Sequence, residues 1–141
     1  RSHYLTPRAK DKDIVIDNTF AKVNEPEGGL IVAFPSVKQD GGDVVLICNV
    51  PEGHVSHYLM GPWGKSRGGR LQLQLDLPPN VNHLIIFDEY PDLSIMNYFR
   101  QPERVSLMVE WNDVLNLLES YYGGDARVAV YPNSEIQYCE Y

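Results

Sequence analysis

One segment constrains the fold more than any other. Asp43-Val44-Val45-Leu46-Ile47-Cys48-Asn49 is almost wholly apolar and runs straight into Val50-Pro51-Glu52-Gly53-His54. A run so short and so apolar predicts a strand covered on both faces, the situation of strands in a parallel sheet. A polar turn follows it, and then a helix beginning near His54. Cys48, Asn49, Glu52 and His54 therefore gather at the carboxyl end of that strand, which is where open α/β sheets bind ligands.

The pattern recurs along the chain. Asp13-Ile14-Val15-Ile16-Asp17, His83-Leu84-Ile85-Ile86-Phe87, Val105-Ser106-Leu107-Met108-Val109 and Ala126-Arg127-Val128-Ala129-Val130 are predicted strands. Leu30, Ile31, Ala33, Phe34 and Val37 fall at helical spacing and predict a helix near 26–38. Pro26 suits its first turn, whereas Gly28 and Gly29 weaken it and Pro35 shortens or kinks it. Residues 54–62 predict a second helix with Val55, Tyr58 and Leu59 on one face, stopped by Gly61-Pro62. Leu93 to Phe99 is a short helix candidate. Asn112 or Asp113 is placed to cap a longer helix whose apolar face is Val114, Leu115, Leu117 and Leu118. Gly123-Gly124 ends that helix, because glycine supplies positive φ at little cost.

Two segments stand outside this alternation. Leu71, Leu73, Leu75 and Leu77 alternate with Gln72, Gln74 and Asp76, which predicts an extra edge strand or an extended stretch closed by Pro78-Pro79. Ile136-Gln137-Tyr138 predicts a small terminal strand. Strands alternating with helices give an α/β fold, a three-layer α-β-α sandwich around a mostly parallel sheet of about five strands, Rossmann-like in layout. Residues 1–12 are polar and read as an arm or linker, and 13–141 as a single α/β domain.

Composition narrows the function. The chain has 141 residues, a net charge of −7 and a sequence pI of about 4.9. An acidic balance of this kind argues against nucleic acid or an anionic membrane as the main partner and accounts simply for solubility. No apolar run approaches the roughly 20 residues that a membrane-spanning helix needs, and no basic-then-apolar leader is present. With only Cys48 and Cys139, nothing resembles a disulfide scaffold. A cytoplasmic protein with reduced thiols is the expectation. The chain opens at Arg1, so a processed product or a piece of a longer protein is expected.

The recognisable catalytic motifs are missing. No G-x-x-x-x-G-K-[ST] or G-x-G-x-x-G pattern occurs, so a dinucleotide held in the usual way is not expected. Ser56, Ser66 and Ser94 lack the surroundings of a nucleophile elbow. His54 and His57 are three apart and share a helix face, but a metal needs a third ligand and orienting groups, and strand burial makes Cys48 a core residue. His54 suits two roles, a donor or proton shuttle facing a cleft or a helix-start histidine bonded to nearby backbone. Glu25 and Glu27 suit the positive end of a helix, which accounts for them unless Glu27 points into a cleft. Trp63, Lys65, Arg67 and Arg70 sit in the glycine-rich stretch 61–70, which reads as a lid, an interdomain contact or a solvated loop. Lys65 and Arg67 there have the chemistry to clamp a carboxylate or phosphate. The acids of Asp88-Glu89-Tyr90 end the third main strand and suit either a site or solvent.

Five stretches taken together resemble a known family. DIVIDNTFAKVNE, GGDVVLICNVPEGHVSHYLMG, GGRL, LPPNVNHLIIFDEYPD and ARVAVYPNSEIQY are similar, in order and spacing, to the C-terminal domain of the nickel-pincer lactate racemase family, from Asp13 to Tyr138. The resemblance implies a two-domain enzyme with its active site in the cleft between domains. An N-terminal domain would carry the nickel-pincer nucleotide and the catalytic histidines, so this part of the enzyme would bind no cofactor alone, contain no catalytic residue and be inactive by itself. It would contribute the substrate side for a small 2-hydroxy acid. Asn18, Asn24, Glu27, His54 and Trp63 would face the cleft, with Lys65 and Arg67 near its rim. Asn18 and Asn24 would hydrogen-bond substrate or cofactor phosphate. Family members carry Asn-x-Tyr-Gln-x-x-Lys at the first helix, with Gln and Lys facing the substrate. Asn24 matches that pattern, but Glu27 stands in the place of Gln and Leu30 in the place of Lys. The lost cation points to another 2-hydroxy acid or a polyol acid in place of lactate, or to a stand-alone binding or interaction module that has lost catalysis.

Overall fold

The computed structural model describes residues 5–23, 25–51 and 75–139. Its centre is a five-stranded sheet formed by β1 (Ile14–Asn18), β2 (Gly42–Ile47), β3 (Val81–Phe87), β4 (Val105–Met108) and β5 (Val128–Tyr131). The strand order is β4-β3-β2-β1-β5 and every pairing is parallel. The expectation of a mostly parallel α/β sheet therefore holds, and the sheet is parallel throughout.

Register explains the layers. Ile14 pairs with Asp43 and Val128, and Ile16 with Val45 and Val130. Residues paired in this way share a face, and the intervening ones point to the other. Val15, Val44, Leu46, Leu84 and Ile86 belong to one buried cluster, together with Leu30, Val32, Ala33, Ile95 and Phe99 from the connections. Ile14, Val45, Ile85 and Phe87 belong to a second cluster with Val114 and Leu118. The first face is covered by α1 (Leu30–Ala33) and by the 3-10 segment Leu93–Tyr98, and the second by α2 (Trp111–Tyr122).

The handedness of connections accounts for this division. Steps from β1 to β2 and from β3 to β4 move in one direction along the sheet, and their connections lie on the first face. The step from β4 to β5 returns across the sheet, so a right-handed crossover puts α2 on the other face.

Several boundaries differ from expectation for local reasons. The helix foreseen over 26–38 is broken into a 3-10 turn Pro26–Gly28, the single α-turn of α1 and a second 3-10 turn Phe34–Ser36. Pro35 cannot continue the hydrogen-bond ladder, and Ile31 points outward, 64% exposed. Leu93–Tyr98 is likewise 3-10. Neither Asn112 nor Asp113 caps α2. The N-cap is Glu110, with no side-chain cap bond. Gly123 does end it, in the left-handed conformation at φ 61. The terminal strand reduces to one bridge between Tyr138 and Leu5, and the arm is held further by Tyr131, whose hydroxyl accepts the Ala9 N–H at 2.9 Å. Leu75 forms a bridge to Phe99 and Leu77 is buried in the core, while residues 71–74 of the alternating stretch lie outside the described residues. Among the described residues no helix is long and apolar enough to cross a membrane.

Candidate functional site

The carboxyl ends of β1, β2 and β3 emerge side by side. Thr19 N–H donates to the Ile47 carbonyl at 3.2 Å, and Cys48 N–H to the Phe87 carbonyl at 3.0 Å, so the three turns after Ile16, Cys48 and Phe87 form one rim. Strand order reverses at this edge, because β1 is flanked by β2 on one side and by β5 on the other. In open α/β sheets that reversal point is the usual place for a ligand.

Two carboxyl groups occupy it. Asp17 is the penultimate residue of β1, on the first face, and is fully buried. Among the described residues neither of its oxygens has a hydrogen-bond partner of ordinary geometry. Glu135 follows β5, and both of its carboxylate oxygens are likewise buried, with no partner among the described residues. The loops carrying them are stitched together. Ser134 N–H donates to the Asn18 carbonyl at 3.0 Å, the Ser134 hydroxyl to the same carbonyl at 3.3 Å, and Ala21 N–H to Asn133 Oδ1 at 3.0 Å. Thr19 is buried and its hydroxyl donates to the Ile47 carbonyl at 2.9 Å. The loops are thus tied together around two carboxyl groups that the other described residues leave short of hydrogen bonds.

Glycines 28 and 29 close over them. A Cβ on Gly29 would stand 2.5 Å from Ser134 Oγ, 2.6 Å from Asp17 Oδ2 and 2.8 Å from Thr19 Cγ2. A Cβ on Gly28 would stand 2.9 Å from Glu135 Oε1. Gly29 has an ordinary φ of −64, so close approach of backbone to the acid is its reason for being glycine.

The electrostatics follow from burial. Loss of water pushes the Asp17 carboxyl up to about 7, offset in part by the nearby Ser134 hydroxyl. Burial pushes Glu135 up to about 8, with Lys22 opposing and the charges of Glu27, Asp17 and Glu25 adding to the rise. Lys22 is ion-paired with Glu25. Two acids that titrate near neutrality, a few residues from a strand-order reversal, can each hold or release a proton at physiological pH. Each can also accept a ligand hydroxyl.

The rest of the rim is built differently. Asp88 is buried and its Oδ1 accepts the Tyr90 N–H at 2.9 Å and the Val50 N–H at 3.4 Å, so it clamps the loop and is not solvated. Asn49 and Glu89 bond reciprocally, with Glu89 N–H to Asn49 Oδ1 at 2.9 Å and Asn49 Nδ2 to Glu89 Oε1 at 3.4 Å. Cys48 is fully buried, and burial with the Asp88 charge raises its thiol far above the ordinary range, so it is a core residue and not a nucleophile. Beyond β3 and β4 the rim opens into a cleft of about 480 Å³ lined by Phe87, Glu89, Pro91, Val109, Glu110 and Trp111.

The residues expected at the site fare unequally. Asn18 takes part through its carbonyl, which anchors Ser134, while its side chain lies on the face opposite Asp17. Glu27 is half-buried in the turn Pro26–Gly28 and its charge reaches Glu135, which places it beside the acid pair. Asn24, His54, Trp63, Lys65 and Arg67 lie outside the described residues. Leu30, where the sequence resemblance implies a lysine, is buried in the core. Asp17, Glu135 and Ser134 were not singled out from sequence. The signal was an aspartate on the buried face of an apolar strand, aligned with Val15.

Both thiols are free and buried, and no three His, Cys, Asp or Glu side chains converge among the described residues. No family model matches the chain, and no curated protein matches it. Among solved structures, the chain is similar to the lactate racemase apoprotein from Thermoanaerobacterium thermosaccharolyticum, at 17% identity and a TM-score of 0.49, over 94% of this chain and 36% of that one. The chain therefore spans about a third of that protein's length, and its own sheet topology establishes the α/β fold.

Proposed function

We propose that this chain is the substrate-side domain of a racemase- or epimerase-like enzyme for hydroxy acids. The observation that carries the reading is Asp17, a fully buried carboxyl group whose oxygens make no hydrogen bond of ordinary geometry among the described residues, the Ser134 hydroxyl alone offsetting its burial, at the carboxyl end of the strand where sheet order reverses. A buried polar group left unsatisfied is costly and is retained where function uses it. Opening of the turn over Gly28 and Gly29 would expose Asp17 and Glu135 to hydroxyl groups of a substrate. Protonated, each donates a hydrogen bond to a substrate oxygen; ionised, each accepts one from a hydroxyl. A second domain would form the other wall, bind the substrate carboxylate and move the proton or hydride at the carbinol carbon.

The nickel-pincer nucleotide does not fit the described residues. They offer no three-donor cluster for a metal, and the acids Glu25, Glu27 and Glu135 would oppose a phosphate beside Lys22, which Glu25 already neutralises.

A second reading is favoured by Leu30. Its burial leaves no cation where the family resemblance implies a lysine, which suits a stand-alone module that binds hydroxylated ligands without catalysis. One experiment separates the two. Titration with glycerate, lactate and neutral polyols, followed by amide chemical shifts, should perturb Thr19, Gly29 and Ser134, and the shifts should vanish in Asp17→Asn. Preference for neutral polyols over the acids supports the binding module. Epimerisation on adding a second domain supports the enzyme. Shifts confined to other residues would remove both.

A further inference from the structure

Among the described residues the second face of the sheet is only half covered. Five strands about 4.8 Å apart make a surface wide enough for two helices about 10 Å apart, yet α2 is the one helix described on that face. α2 lies over Ile85 and Phe87 through Val114 and Leu118. Toward the other edge, Val128 is 46% exposed, Val130 59% and Leu115 46%. Register puts Val128 and Val130 on the same face as Ile14 and Ile16. Between them and α2 runs an apolar groove of about 350 Å³, bordered by Leu115, Leu118, Glu119 and Tyr122 on the helix side and by Ile14, Ile16 and Val128 on the sheet side. Parallel sheets normally bury both faces.

Charge selects the occupant. Asp113 and Glu119 are the acidic side chains of α2, and Glu110 and Asp125 flank it, with no basic residue between them. Arg127, near the groove's far end, is held by Asp13 at 3.2 Å. A second copy of this chain would bring one acidic α2 against another. Where the connection between β2 and β3 leaves the sheet and where it is described again, Cys48 and Leu75 pack with the first-face cluster. We propose that this groove docks an amphipathic α-helix of a partner protein, apolar along one stripe and lysine- or arginine-bearing along its borders, packed beside α2 against Ile16, Val128 and Val130.

The test uses the whole chain and a synthetic 18-residue helical peptide with a leucine stripe and lysine borders, labelled for fluorescence anisotropy. The expected result is saturable binding. Affinity should fall at least tenfold in Val130→Lys and several-fold in Glu119→Lys, both at exposed positions where folding is checked by circular dichroism. The same peptide with glutamate borders should bind at least tenfold more weakly. Binding unaffected by Val130→Lys, or equal for the two peptides, would overturn the proposal. So would a dimer in sedimentation that Val130→Lys dissociates, which would make a second copy the occupant. Failure of the lysine-bordered peptide to bind would overturn it as well, and it leaves the reading of Asp17 untouched.

Discussion

Replacing Asp17 by Asn should stabilise this protein, and by an amount that depends on pH. The native carboxyl titrates near 7 against an ordinary value of 3.8. Between those values the folded chain holds a proton that the unfolded chain has lost. The unfolded state therefore binds fewer protons, and stability falls as pH rises through this window. At 1.36 kcal/mol per pH unit the cost of ionising Asp17 in place is about 4 kcal/mol once pH exceeds 7. Water reaching the carboxylate would reduce it, so this is an upper figure. About half of it, roughly 2 kcal/mol, is incurred above pH 5.5. Asn has the same shape and no charge to lose, and thus escapes the whole cost. Urea unfolding followed by circular dichroism should show Asp17→Asn more stable than the parent by several kcal/mol at pH 8.5. The gap should narrow by about 2 kcal/mol at pH 5.5. Asp13 acts in the opposite sense, since Lys38 and then Arg127 hold its carboxyl below the usual range, but it is common to both proteins and cancels in the difference. A stability difference that does not vary with pH, or a variant less stable at pH 8.5, would refute the reasoning.

Other outcomes follow from the same geometry. Gly29→Ala should destabilise by about 2 kcal/mol, because its Cβ would meet Asp17, Ser134 and Thr19 inside 3 Å; urea midpoints measure this, and an unchanged midpoint would contradict the close packing. Asp43→Ala should cost about 3 kcal/mol, since the buried Asp43 carboxylate accepts the His83 N–H at 3.0 Å, His83 Nδ1 at 2.9 Å and the Tyr122 hydroxyl at 3.0 Å; thermal unfolding reads the loss. Cys48 should resist iodoacetamide at pH 8 in the folded chain and react once urea unfolds it, with peptide mass as the readout.

Fold and site were legible to different degrees. The five strands could be read because each is a short apolar run, buried on both faces in β2 and β3 and half-exposed in the edge strand β5, and only their ends moved by a residue or two. The first helix misled, since apolar spacing at Leu30, Ala33 and Val37 is satisfied equally well by a chain of 3-10 and α turns broken at Pro35. The site was only partly legible. The rim followed from the strand at 43–49, but which strands flank β1 is a matter of topology. Only topology brings Asp17 and Glu135, far apart in sequence, to one place. Glu27 could be found by its position near a helix start. Glu135 had no local signal, because an exposed-looking acid in a tail is ordinary until the fold buries it.

The most direct test is a carboxyl-carbon NMR titration of Asp17 in the intact chain. A midpoint near 7 is the result that a buried carboxyl group kept for a ligand requires. A midpoint near 4 would mean that Asp17 is solvated or paired, and the proposed site would be lost with it.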